Sequence, residues 1–211
     1  DEFFSTFADE VERLIDKSDK IGFCFSYAAS ITTDHDGIPL VFSKEIKAPE
    51  VLGKPVGATL LKELARRGYD VSNKKVAVLN DTVATLLAGQ SAKSEVPYSG
   101  YIGFILGTGT NTAYVEENAS IGKLGLQDGG SQIINIESGN FDFCPSELDR
   151  EFFGATKAPQ QYHLEKMISG AYLGPLSTLV IEKAIEDGLF SENFKQRFAR
   201  LGGINTTVMS N

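Results

Sequence analysis

Residues 78–89 read VLNDTVATLLAG, an apolar run that stops at a polar Asn80-Asp81-Thr82 corner and resumes as a small-residue helix. A strand, a corner and a helix in immediate succession direct the chain toward an α/β architecture and put Asp81 at the strand-to-helix turn. The corner supports two readings. Asn and Asp are favoured helix N-caps, so the residues can be purely local punctuation. A short carboxylate between an amide and a hydroxyl can also take a proton from a bound hydroxyl while its neighbours hold the substrate.

The rest of the chain extends the alternation. Phe4, Phe7, Ala8, Val11, Leu14 and Ile15 fall at helical spacing and predict an amphipathic helix ending near residues 17–20. Strands are predicted over 21–27 and 38–42 around an Asp34-His35-Asp36-Gly37 turn. A helix follows with Pro55 in its first turn, Val56, Leu60, Leu61 and Leu64 on one face, and Gly68 as its stop. Next come a strand over 75–79, a helix over 82–90, a hairpin over 101–106 and 112–116, a strand over 132–137 and a short helix over 145–153. Leu164, Met167, Ile168, Ala171, Tyr172, Leu176, Leu179 and Val180 trace one face of a single long helix, a Met and aromatic stripe that reads as core. Ser191 opens a last short helix, and residues 202–211 suggest no element.

The hairpin, GFILGTGTNTAYVEE (103–117), turns through Gly107-Thr108-Gly109-Thr110-Asn111. Its glycines remove side-chain bulk, so backbone N–H groups and the Thr108 hydroxyl can approach a phosphate. It lacks the Lys of a P-loop and opens no helix, which excludes the Walker-type and dinucleotide-type readings.

A chain of 211 residues with 42 % hydrophobic content and 14 Phe can bury a sizeable core as one large domain or two lobes. Its net charge of −8 argues against nucleic acid or an anionic membrane surface as partner. No apolar run has membrane-spanning length, and Cys24 and Cys144 show neither metal-ligand nor redox spacing, which suits a reducing compartment and a cytoplasmic location. His35 and His163 show no convergent partners and read as structural.

The pair NDT and LGTGTN resembles the eukaryotic-type hexokinase family. Four further segments match it in order: IGFCFSYAAS (21–30) the first sugar-binding strand, FSKEIKA (42–48) the Thr-Lys-Gly-Phe-Lys loop, IINIESGNF (133–141) the Asn-x-Glu-Trp-Gly-x-Phe segment, and LEKMISGAYLG (164–174) the Glu-Lys-Met-x-Ser-Gly helix. The resemblance implies an actin-like, ribonuclease H-like two-lobed sugar kinase, with residues 1–80 in the small lobe and 81–211 in the large one. It implies ATP-dependent phosphorylation of the 6-hydroxyl of glucose or a related hexose, with Mg2+, as the first step of glycolysis. The family's Asp-Leu-Gly-Gly-Thr phosphate motif and its C-terminal adenosine segment have no counterpart here, so the resemblance implies an incomplete chain that alone would bind ATP poorly.

By the same resemblance Asp81 is the catalytic base and Lys44 holds the sugar while offsetting charge on the transferring phosphoryl. Ser26, Ser43, Asn80, Asn111, Glu137 and Glu165 take the remaining hydroxyls, Gly107, Thr108 and Gly109 contact ATP phosphates, and no protein metal ligands are implied. Ser138 stands in the place of the family's Trp, Asn140 in that of a small residue, Ser43 in that of Thr and Ala28 in that of Pro, which bears on the choice of sugar. A hexose-binding sensor without phosphate chemistry is the rival reading.

Overall fold

The computed structural model describes residues 2–42, 48–92, 95–125 and 129–209. The chain divides into two compact units, Asp1–Ala84 and Thr85–Asn211.

The first unit opens with helix α1 (Glu2–Val11) and strand β1 (Lys20–Cys24), followed by β2 (Ala29–Ile31), β3 (Gly37–Pro39), helix α2 (Val56–Arg66) and strand β4 (Lys75–Leu79). Strands β1 and β4 pair in parallel, Lys20 opposite Lys75 through Cys24 opposite Leu79. The short β2 and β3 form a separate antiparallel hairpin. Sequence reasoning expected one strand over 21–27; the strand stops at Cys24, and β2 was not foreseen because three residues carry no readable alternation. Phe4, Ala8, Ile15, Phe23, Phe25, Val51, Val56, Leu60, Leu64 and Val78 form a contiguous buried cluster.

Helix α2 begins at Val56 after Pro55, whose side chain cannot cap it. A residue from the β2–β3 turn supplies the cap instead. The buried Asp36 carboxylate accepts the N–H groups of Gly57 at 2.7 Å and Ala58 at 2.8 Å, as well as that of Gly37 at 2.7 Å. The Gly57 and Ala58 N–H groups are helix donors that have no intrahelical acceptor. A Cβ on Gly57 would lie 2.9 Å from Val76 and 3.0 Å from Asp36, so glycine permits the approach. On the outer surface Arg67 donates to Asp9 at 2.6 Å, Glu12 at 3.0 Å and Glu63 at 3.1 Å, tying α1 to α2. Hydrogen bonds from Arg66 and Arg67 hold Glu63 down at about 2.

Helix α3 (Asp81–Ser91) follows β4. In the second unit β5 (Ile102–Leu106), β6 (Thr110–Glu117) and β7 (Ser131–Asn135) form an antiparallel sheet in the order β5-β6-β7. Helices α4 (Glu147–Gly154), α5 (His163–Ile168), α6 (Leu173–Glu186), α7 (Glu192–Leu201) and α8 (Thr206–Met209) complete it. Ser146 caps α4 in a reciprocal capping box with Asp149, and Ser191 caps α7 as its position predicts.

The predicted long helix over 164–180 is two helices, α5 and α6, interrupted at Ser169 to Tyr172. The Gly170 N–H donates to the Gly107 carbonyl at 2.7 Å and that of Ala171 to the Thr108 carbonyl at 3.1 Å. These tertiary bonds take donors that a continuous helix would bond internally. The stripe is not a buried core either: Ile168 and Val180 are exposed, and Leu164, Met167, Tyr172, Leu176 and Leu179 are half-buried. Residues 206–209, where no element was expected, form α8.

Candidate functional site

In the first unit the parallel pairing of β1 and β4 continues one step past the strands, where the Phe25 N–H donates to the Leu79 carbonyl at 2.8 Å. This carries Ser26 alongside the end of β4, and the Ser26 hydroxyl donates to Asp81 Oδ2 at 2.9 Å. Asn80 Oδ1 accepts the Thr82 N–H at 2.8 Å, and Asp81 Oδ1 accepts the same N–H at 2.9 Å. The capping reading of the corner is met in the fold. Asn80 caps α3, and Asp81 engages the helix start with one carboxylate oxygen and Ser26 with the other. Thr82 beneath them is fully buried, so the corner rests on packed structure. Lys44 and Ser43 lie outside the described residues.

In the second unit three expected residues meet at the sheet end. Register sets Ala113 opposite Asn135, and the Ile136 N–H donates to the Thr112 carbonyl at 3.0 Å, which brings Glu137 beside Asn111. Asn111 Nδ2 donates to Asn135 Oδ1 at 2.7 Å and to Glu137 Oε1 at 3.4 Å, and Asn135 Nδ2 donates to the same Glu137 oxygen at 2.7 Å. Asn111 Oδ1 accepts from the backbone of Thr112 at 2.7 Å and of Ser138 at 3.3 Å. Glu137 was expected at a strand end. It stands two residues beyond β7 in the left-handed region at φ 58°, a conformation uncommon for a residue with a Cβ. Its carboxylate is exposed and prearranged against two amides. Asn135 was not singled out from sequence, although it is the Asn of the matched Asn-x-Glu segment.

Glu165, on α5, comes to the same region from the other side. Its Oε2 accepts the Thr110 N–H at 3.0 Å. A Cβ on Gly109 would collide with that carboxylate, and one on Gly139 would lie 3.0 Å from the Thr110 carbonyl and 3.3 Å from Glu165 Cβ. The two glycines are what allow a carboxylate to sit against the hairpin turn.

That turn is more selective than its composition suggests. The Gly107 N–H is committed to the Gly109 carbonyl at 2.9 Å and the Thr110 N–H to Glu165. The amides of Thr108 and Gly109 carry no partner among the described residues, so the donors the turn leaves open narrow to these two and the exposed Thr108 hydroxyl. Thr108 also lines an open cavity of about 320 Å3 with Gly170, Ala171, Thr206 and Thr207. The Thr206 hydroxyl donates to the Gly170 carbonyl at 2.6 Å and accepts the Gly174 N–H at 3.0 Å. Sequence reasoning missed Thr206 and Thr207, since a four-residue helix leaves no periodicity to read. Among the described residues no group of three or more His, Cys, Asp or Glu is placed to hold a metal ion, and no helix is long and apolar enough to cross a membrane.

Comparison with known proteins gives consistent relatives. Two family models, each described as hexokinase, match residues 1–91 and 101–211. Hexokinase-1 of Spinacia oleracea is 34 % identical over 214 residues, covering 99 % of this chain and 42 % of that protein. Hexokinase-1 of Homo sapiens is 33 % identical over 208 residues, covering 95 % of this chain and 22 % of that protein. Among solved structures, a Schistosoma mansoni hexokinase complexed with glucose superposes with a TM-score of 0.67 at 31 % identity, over 88 % of this chain and 42 % of that one. A second hexokinase crystal structure gives 0.68 at 28 % identity, over 85 % and 41 %. The chain thus spans less than half the length of these relatives.

Proposed function

This chain belongs to the hexokinase family and has the family's α/β fold, and we propose that it carries the hexose-binding and base-bearing part of an ATP-dependent hexose 6-kinase. The observation that carries the reading is the Ser26–Asp81 hydrogen bond of 2.9 Å at the end of β4. It aims a carboxylate, next to a hydroxyl and an amide, where a bound sugar hydroxyl can be oriented.

In this reading Asp81 accepts the proton of the 6-hydroxyl as the γ-phosphoryl arrives. Phosphoryl transfer passes through a loose transition state, so the main contribution of Asp81 is to position the nucleophile. Lys44 holds the sugar and offsets charge on the transferring group. By the family resemblance Ser26, Ser43, Asn80, Asn111, Glu137 and Glu165 take sugar hydroxyls, their carboxylates, amides and hydroxyls serving as donors and acceptors in pairs. An analogue lacking one hydroxyl would leave a polar group unpaired, which is how such sites discriminate. The exposed, doubly braced Glu137 carboxylate supports this assignment, and the glucose in the Schistosoma mansoni relative supports a hexose as ligand.

The Thr108 and Gly109 amides and the Thr108 hydroxyl suit ATP phosphate oxygens, with Gly107 open on its outer side, where no atom lies within 4 Å of a Cβ built there. Mg2+ carried by the ATP phosphates would neutralise their charge, with no ligand from the described residues assigned to it. We assign residues 1–80 to the small lobe and 81–211 to the large lobe of the kinase, and a cytoplasmic location and the opening step of glycolysis accompany this function.

The test is a coupled assay of ATP-dependent phosphorylation over a panel of hexoses, on the full-length gene product beside this 211-residue chain, with hexose binding followed by calorimetry. Turnover in the full-length product supports the kinase. Tight hexose binding without turnover favours the sensor, and neither binding nor turnover overturns the sugar site.

A further inference from the structure

Helix α5 spans only His163–Ile168, six residues, yet it carries Glu165 against the hairpin turn. A helix this short has little stability of its own, so its orientation is set by what it packs against. Successive residues are about 100° apart around an α-helix, which puts His163 and Lys166 on neighbouring faces and Glu165 away from both.

Those two residues close on one aromatic ring. The His163 imidazole stacks on Phe153 of α4 with centroids 4.6 Å apart and planes 3° from parallel. The Lys166 ammonium lies 5.4 Å from the centroid of the same ring. The polar ends are then tied to flanking segments. His163 Nδ1 faces Asp142 Oδ1 at 3.1 Å and Nε2 faces the Pro159 carbonyl at 3.0 Å, so both ring nitrogens meet oxygen atoms of flanking segments. Lys166 Nζ donates to the Ala158 carbonyl at 2.5 Å, and its side chain is 1 % exposed. Burying an ammonium costs free energy, and burial lowers the pKa of Lys166 while Glu165 opposes that shift. A Met here would fill the space without that cost. What the ammonium adds is direction: one hydrogen bond and one ring fix how α5 is rotated.

We propose that His163 and Lys166 are positioning residues for the hexose, clamping α5 through Phe153, Asp142 and the Pro159 and Ala158 carbonyls so that Glu165 is held at the Gly109–Thr110 turn. The proposal rests on Glu165 being a hexose contact, as argued above.

The experiment measures hexose Kd by calorimetry, and kcat with the KM values of hexose and ATP, in the full-length protein and its His163→Phe, Lys166→Met, Asp142→Ala and Asp142→Asn variants. His163→Phe keeps the ring stack and Lys166→Met the buried volume. Each should raise hexose Kd and KM about tenfold, equivalent to ~1.4 kcal/mol, with kcat and the ATP KM within about threefold. The exposed Asp142→Ala should raise hexose KM about threefold, and Asp142→Asn, which retains an acceptor, should restore it. A role in folding alone would lower the melting temperature and leave the hexose Kd of the folded fraction unchanged. Folded His163→Phe and Lys166→Met proteins with wild-type hexose affinity would overturn the proposal while the kinase reading stands. Should either fail to fold, the Asp142 pair decides by the same criterion. A wild-type protein that binds no hexose would remove the sugar-site reading and the clamp with it.

Discussion

The two units hold their candidate site residues by different physics. In the first, Ser26 and Asp81 sit at the ends of paired strands above a contiguous apolar cluster. The Phe23 and Phe25 rings are 6.3 Å apart, those of Phe25 and Tyr27 5.5 Å, and those of Phe7 and Phe23 5.0 Å. In the second, the buried apolar side chains among the described residues are few, Ala113, Phe153 and Phe198 with Leu86 of α3, while Ile102, Phe104 and Leu106 along one face of β5 are 53–74 % exposed. There the candidate groups are held by a lattice of amides, carboxylates and close-packed glycines. Close packing fixes side chains by excluding alternatives, whereas hydrogen bonds fix them by direction. The first arrangement should tolerate loss of a polar contact, and the second should not.

The sharpest way to break this contrast is to fill a glycine in the lattice. Gly170→Val puts a branched side chain where a Cβ alone would lie 2.8 Å from the Gly107 carbonyl. The loss expected is most of the activity, with separation of the α5–α6 junction from the turn seen as faster amide exchange at Gly170 and Ala171. Next in size, Leu60→Ala opens a cavity in the first unit and should cost about 2–5 kcal/mol in denaturant melts, with residual activity in the folded fraction close to normal. Asp36→Ala removes the borrowed cap of α2 and should cost about 1–3 kcal/mol in the same melts. Smallest is an acid effect. Glu63 has its folded pKa depressed from 4.5 to about 2. Its contribution is present above 4.5 and lost as pH falls through 2, so thermal midpoints should drop over that window, and less so in Glu63→Gln.

The same contrast explains what was legible in the sequence. Strand β4 was predicted to the residue, because Val76 to Leu79 is a local apolar run and its helix follows at once. Helix α2 was readable from Val56, Leu60 and Leu64, all of which face the core. The break between α5 and α6 was not. Leu164, Met167, Ile168, Ala171 and Tyr172 keep helical spacing straight through it, and the bonds that stop the helix reach back more than sixty residues to Gly107 and Thr108. Expected residues Asn111, Glu137 and Glu165 do meet the hairpin turn, yet their partners are tertiary: Asn135, the Thr110 amide and the room left by Gly109 and Gly139. His163 read as partnerless because Asp142 and Phe153 approach it only in the fold.

The account stands most directly on Asp81. Asp81→Asn keeps the size of the side chain and an acceptor for the Thr82 N–H but cannot take a proton. The deciding measurement is kcat for hexose phosphorylation alongside hexose Kd by calorimetry, in the folded variant and the wild type of the full-length protein. The account predicts a fall in kcat of about 10²–10⁴-fold with Kd changed only severalfold. An equal loss of both at intact folding, or an unchanged kcat, would contradict it.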